Sequence, residues 1–414
     1  MFNIINIIKY VLRDHFFAIS LYSRQIAGTI VLLIIARYLS VYDYGLFTSY
    51  KNIATFCLMF ANMEFANYIL VSSKANVNEV KLKISLFMLN AINLLIFVSV
   101  LSLFFKIESH ILFILIVVRT FFDNIFFALI LPYFQASKKF NIIAIINMIY
   151  SFGVAIIAII SYFLKLSLFK FLILSIALGF INFIQCSYYI KINYLLVVNY
   201  IKRFVKMLDK SILSYIGSTI TDYLYTQLSS LYVAIFLSKE EAALYFAAFT
   251  IAAVPNLLCT AQLQKILPSL LINDTKQKLH ILNKNIKFIL GILLLALIFI
   301  VIFGKVLLKI IYGNDYYQNA YIILILYFIS NIFIANGAIH GVNITAQGYQ
   351  SKKVQMKLET VFVTIISLVL LYKFNLYGAI ITLLLSSIYV SIRYSRFSFN
   401  LINREENNNE YCQI

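Results

Sequence analysis

Apolar runs of about 20 residues recur from one end of this 414-residue chain to the other, separated by short polar connectors. A helix of that length rises about 30 Å, the thickness of a bilayer's hydrocarbon core. Once in lipid, each run has to satisfy its backbone hydrogen bonds internally, which leaves helices or a closed barrel. Runs this long are helical. The chain is 62% hydrophobic and 12% charged, against about 45–50% and about 25% in soluble domains. We therefore expect an all-α polytopic membrane protein with about twelve spans, the first opening near Phe16 and the last closing near Tyr394. The first span continues into this array, so no cleavable signal peptide is expected.

The formal net charge of +18 raises the question of nucleic acid. The basic residues answer it, because they sit in connectors between spans. With twelve spans the connectors alternate sides, and one side together with both termini collects twenty-two basic residues against seven on the other. Under the positive-inside rule this predicts cytoplasmic termini. Moving one span boundary would scramble the alternation. The longest connector, about 20 residues from Lys191 to Lys210, divides the chain near its middle. The expected organisation is an N-terminal lobe of six helices (1–200), a C-terminal lobe of six (201–396) and a cytoplasmic tail (397–414). Ala36 to Ser40, followed by Asp43, Leu46 and Phe47, resembles Ala234 to Ser238 followed by Glu241, Leu244 and Tyr245. Ala136-Ser137-Lys138-Lys139 similarly resembles Gln350-Ser351-Lys352-Lys353. Both lobes start on the same side, so the repeat is a parallel one around an axis along the membrane normal.

No connector on the sparsely charged side exceeds about ten residues, too few for a folded catalytic domain. Walker, HExxH and GxSxG motifs are absent, and the four cysteines show no metal-ligand spacing. Neither enzyme chemistry nor a metal or other cofactor is expected.

What demands explanation is charge inside the spans. Arg24, Arg119, Asp123 and Asp222 lie deepest. Unpaired, they would cost on the order of 10–14 kcal/mol, so they pair or line a wetted cavity. Ser20, Arg24, Ala27 and Gly28 form one small-polar stripe, and Ser214, Ser218, Asp222, Tyr225 and Ser229 form another. Arg24 and Asp222 correspond in the repeat, so they either lock the two lobes as an ion pair or face a central cavity. Arg119 and Asp123, four apart, can neutralise one another on one helix face. Lys51 and Lys265 lie nearer span ends and can snorkel to the headgroups. Glu64 and His340 lie near the cytoplasmic mouth, where a gating or proton role competes with simple helix contact. Pro255 interrupts the backbone ladder of its span and marks a bending point.

Two stretches resemble a known family. Ala36-Arg37-Tyr38-Leu39-Ser40-Val41-Tyr42-Asp43-Tyr44-Gly45-Leu46-Phe47 is similar to the first periplasmic turn of polysaccharide-repeat-unit flippases, although Ser40-Val41 replaces their usual Gly-Pro. Leu308-Lys309-Ile310-Ile311-Tyr312-Gly313-Asn314-Asp315-Tyr316 resembles their apolar run into Phe-Gly, an acidic residue and Tyr. The resemblance implies a Wzx-type flippase of the multidrug/oligosaccharidyl-lipid/polysaccharide superfamily, in the bacterial inner membrane, with two six-helix lobes around a central cavity. It implies an undecaprenyl-pyrophosphate-linked oligosaccharide as substrate, for O-antigen or capsule, and a polysaccharide polymerase and chain-length regulator as partners. Arg24 then matches a cationic group for the pyrophosphate, with Arg119, Lys51 and Lys265 beside it. Asp222, Asp123, Glu64 and His340 become the coupling or gating candidates. Competing expectations are an ion-coupled multidrug antiporter of the same superfamily, whose cavity would be acidic and aromatic, and a membrane polysaccharide polymerase, which needs a sizeable periplasmic loop.

Overall fold

In a computed structural model the described residues are 23–24, 26–62, 77–102, 108–137, 139–190, 210–272, 275–313 and 315–411. They are almost entirely helical, with no strand among them. The helices are α1 (Ile26–Tyr38), α2 (Val41–Asn62), α3 (Val77–Ser102), α4 (His110–Thr120), α5 (Phe127–Ala136), α6 (Phe140–Phe163) and α7 (Leu168–Ile190). They continue as α8 (Lys210–Phe236), α9 (Lys239–Ile272), α10 (Thr275–Tyr312), α11 (Tyr321–Ala346), α12 (Gln350–Leu371) and α13 (Asn375–Tyr411). Five helical stretches among the described residues are long and apolar enough to cross a membrane. The connector from Lys191 falls outside the described residues up to the start of α8.

Side-chain placement inverts the pattern of a water-soluble protein. Leu295, Ile298, Phe299 and Ile302 make an exposed stripe along α10, Leu295 being 70% exposed. Ile289, Leu293 and Ile300 of the same helix are buried. Polar groups lie inside instead: Asn343, Ser330, Thr360, Thr364 and Ser386 have no exposed surface. Acyl chains can cover the apolar stripe, whereas a polar group left in hydrocarbon costs several kcal/mol. The chain is a multi-pass membrane protein.

Two compact units divide the chain: residues 1–40 with 47–220, and residues 41–46 with 221–414. In the first, α3 packs on α4 and α5, while α7 packs on α4 and α6. In the second, α11 is the central rod, against α9, α10 and α13, and α13 also carries α12. Hydrogen bonds join buried apolar clusters, such as Leu293, Ile339 and Ile402, in knitting this rod. Asn336 Nδ2 donates to Ser391 Oγ at 2.8 Å and Ser395 Oγ at 3.1 Å, and one heptad on Asn343 Nδ2 reaches Ser398 Oγ at 2.8 Å. Lipid provides no hydrophobic drive between helices, so such bonds and close packing hold them. Pro255 lies inside α9 without ending it. Beside the ladder position it disrupts, the carbonyl of Ala252 accepts from Asn331 Nδ2 of α11 at 2.8 Å.

The first repeat match has a shared local geometry. Leu39 N donates to the Ile35 carbonyl at the end of α1, and Leu237 N to the Val233 carbonyl at the end of α8, each before a two-residue break and a new helix. The second match is displaced. Ser137 lies in the turn after α5, whereas Ser351 is already in the first turn of α12. The turn equivalent to the one after α5 is the one after α11, where Tyr349 N reaches back to the Ile344 carbonyl just as Lys139 N reaches the Phe134 carbonyl. The Ser-Lys-Lys likeness thus reflects basic connector composition and not equivalent backbone.

The two stretches that carry the family resemblance meet in the second unit. Tyr44 is buried against the rings of Tyr312 and Tyr317, which stack on one another at 4.5 Å. Next to it, a Cβ on Gly45 would lie 1.7 Å from the Lys239 carbonyl oxygen at the start of α9. Only glycine allows that approach.

Candidate functional site

Within the first unit, the apolar helices bring four charged side chains into one polar cluster. Arg119 comes from the last turn of α4, and Asp123 from the π-helical turn Phe121–Phe126 that joins α4 to α5. A π turn inserts an extra residue into the ladder and recurs at functional sites because it re-aims side chains. Arg119 Nε lies 3.3 Å from Asp123 Oδ2. From α6, the Tyr150 hydroxyl donates to Asp123 Oδ1 at 2.5 Å. One turn earlier on α6, Asn147 Oδ1 accepts from Arg24 Nη1 at 3.4 Å. Arg24 and Lys51 are both within electrostatic reach of Asp123, and Lys51 is also within reach of Arg119.

Among the described residues the cluster is cationic: Arg24, Lys51 and Arg119 face one carboxylate, Asp123. Arg119 is 6% exposed, with its guanidinium carbon 4.6 Å from the Phe171 ring centroid and 5.8 Å from that of Phe47. Ring faces steady the cation, yet its Nη1 has no hydrogen-bond acceptor among the described residues. A guanidinium held this way offers a donor to an incoming anion, and its planar fork matches phosphate oxygens.

Of the residues singled out by sequence, Arg24, Lys51, Arg119 and Asp123 therefore come together in the first unit. His340 does not join them: it is buried on α11, in the second unit, with its ring 5.0 Å from that of Phe399. Glu64 lies outside the described residues. Asp222 and Lys265 lie on α8 and α9, with side chains outside what is described. Sequence reasoning missed Asn147 and Tyr150. The signal was there, since Asn147, Tyr150 and Ser151 give one face of an apolar helix three polar groups. Among the described residues no group of His, Cys, Asp or Glu is placed to hold a metal ion.

The chain is a member of the polysaccharide biosynthesis protein family, whose model matches residues 34–321. Its fold is similar to that of the lipid II flippase MurJ in an inward closed conformation, with a TM-score of 0.71 at 18% identity over 93% of this chain and 87% of the other. It is also similar to an inward-facing multidrug resistance MATE family transporter of the MOP superfamily, with a TM-score of 0.66 at 12% identity over 93% and 96%. A MATE protein in a bent conformation matches with a TM-score of 0.58 at 13% identity over 94% and 95%. No curated protein matches in sequence. Family and fold agree with the resemblance read from Ala36–Phe47 and Leu308–Tyr316: the chain is a polysaccharide biosynthesis family member with a MurJ- and MATE-like fold. That fold is one transporters use.

Proposed function

We propose that this protein is a flippase that carries an undecaprenyl-pyrophosphate-linked oligosaccharide unit, for O-antigen or capsule, from the cytoplasmic to the periplasmic leaflet by alternating access. It does so in a bacterial inner membrane, with both termini in the cytoplasm and without an enzymatic step. The observation that carries this reading is the excess of cations around Asp123. A pyrophosphate cannot cross about 30 Å of hydrocarbon unaided, whereas its prenyl tail never has to leave it. The head needs fixed positive charge at depth, and Arg24, Lys51 and Arg119 supply it in the first unit. Asp123 holds Arg119 in place until the substrate phosphate takes over one of its donors. Lys265 is a further candidate for the headgroup; Asp222, Glu64 and His340 remain candidates for coupling or gating. A multidrug antiporter is the alternative, and it would want the opposite charge balance for cationic drugs.

The test is deletion of the gene followed by chemical analysis of membrane lipids. Oligosaccharide-lipid stranded in the cytoplasmic leaflet, with loss of surface glycan, is the expected result. Unchanged surface glycan with raised sensitivity to cationic dyes would favour the antiporter. Co-purification with the polysaccharide polymerase and chain-length regulator tests the proposed partners separately.

A further inference from the structure

A second basic site lies in the same unit, at the end where α1 stops and α6 turns into α7. There a cleft of about 590 Å³ is lined by Arg37, Tyr38 and Leu39 from the end of α1 and by Tyr162, Phe163, Lys165, Leu166 and Ser167 from the α6–α7 corner. Among the described residues no carboxylate lines it. Neither Arg37 nor Lys165 enters an ion pair among the described residues. Tyr38 has its hydroxyl buried without a hydrogen-bond partner among them. Lys165 holds a positive φ of 48°, a conformation that costs a side-chain-bearing residue on the order of 1–3 kcal/mol. The first turn of α7, capped by Ser167, adds the positive end of a 23-residue helix.

The depth of this cleft follows from its neighbours. α6 and α7 both have the length and hydropathy of membrane spans, and the corner between them is only four residues long. The corner therefore sits at the level of lipid headgroups, and Tyr38 and Tyr162 are residues that favour that level. We propose that this cleft binds the headgroup of an anionic phospholipid, with Arg37 and Lys165 as a cationic pair that matches its net negative charge and Tyr38 as a neutral donor. Tyr38 lies within electrostatic reach of Arg119, so the cleft adjoins the Arg24–Arg119 cluster, while Arg37 and Lys165 stand outside it.

Because the chain contains no tryptophan, Phe163→Trp in the full-length protein gives a single reporter in the cleft wall. In nanodiscs of phosphatidylcholine with rising fractions of phosphatidylglycerol, its emission should change and saturate. Arg37→Gln or Lys165→Gln should each weaken the apparent affinity about fivefold, the usual worth of one basic residue at an anionic surface. Lys165→Gly, which relieves the positive φ as it removes the charge, should weaken it equally in a protein that folds at least as well. Lys305→Gln, a charge removed elsewhere, should change nothing. Arg37→Gln and Lys165→Gly proteins that respond just as the Phe163→Trp parent does would overturn the proposal. So would saturation by inorganic phosphate or pyrophosphate in pure phosphatidylcholine with no effect of phosphatidylglycerol, since the site would then belong to a soluble anion.

Discussion

Asp123 is held from both oxygens, by Arg119 at 3.3 Å and by the Tyr150 hydroxyl at 2.5 Å. Removing one member of such a buried set leaves the others uncompensated, which typically costs 3–5 kcal/mol. Asp123→Ala should therefore lower thermal stability in detergent sharply, while Arg119→Met combined with Asp123→Leu should recover most of the loss; a double variant as unstable as the single one would contradict the pairing. If Arg119 also meets substrate, the stable double variant will still fail to restore surface glycan in a deletion strain. Tyr150→Phe removes a hydrogen bond to a charged group and should cost about 1.5–3 kcal/mol in the same assay. Arg24, Arg119 and Asp123 were legible from sequence because a charge in an apolar run is expensive enough to need a reason. Asn147 and Tyr150 left a weaker signal that was passed over, because an amide or phenol in a membrane helix has many inexpensive explanations. Nor did sequence show that Arg24 meets Asn147 in its own unit, since spacing along one helix says nothing about the face of another.

Between residues and fold, the close contacts of helices carry the next predictions. Gly45→Ala would put a Cβ on the Lys239 carbonyl and should abolish monodisperse protein on size-exclusion chromatography. Gly28→Ala, on α1 with nothing within 4 Å, should be tolerated. Equal yields from the two would show that the start of α2 does not depend on that approach. The Tyr44-Gly45 pair was visible as a motif, but its reason is tertiary: the partner surface lies almost two hundred residues away in the chain. The π turn was equally hidden, since Phe121–Phe126 has no proline or glycine to announce it. Deleting Asn124 should restore a regular α-helix and swing Arg119 out of register with α5. The predicted outcome is protein that reaches the membrane normally yet leaves surface glycan absent in a complementation assay. Retained surface glycan would make the turn incidental.

Across the whole chain, helical class and membrane residence could be read early, because length of apolar run and distribution of charge are physical constraints that no tertiary contact overrides; the family came from the two short motifs. The exact lining of the site was beyond that reach, since it depends on which faces turn inward. Topology has its own check: a fluorescent protein fused after Ile414 should light up in the cytoplasm, and an active periplasmic phosphatase fused there would reverse the orientation drawn from charge. The central claim is that fixed cations at depth accept the diphosphate head of a lipid-linked sugar. Its most direct measurement is transfer of such a lipid between leaflets in proteoliposomes holding the purified protein. Native protein should move it, Arg24→Ala and Arg119→Ala should lose the activity while remaining folded, and Arg24→Lys should keep part of it. Undiminished transfer by both alanine variants would contradict the account.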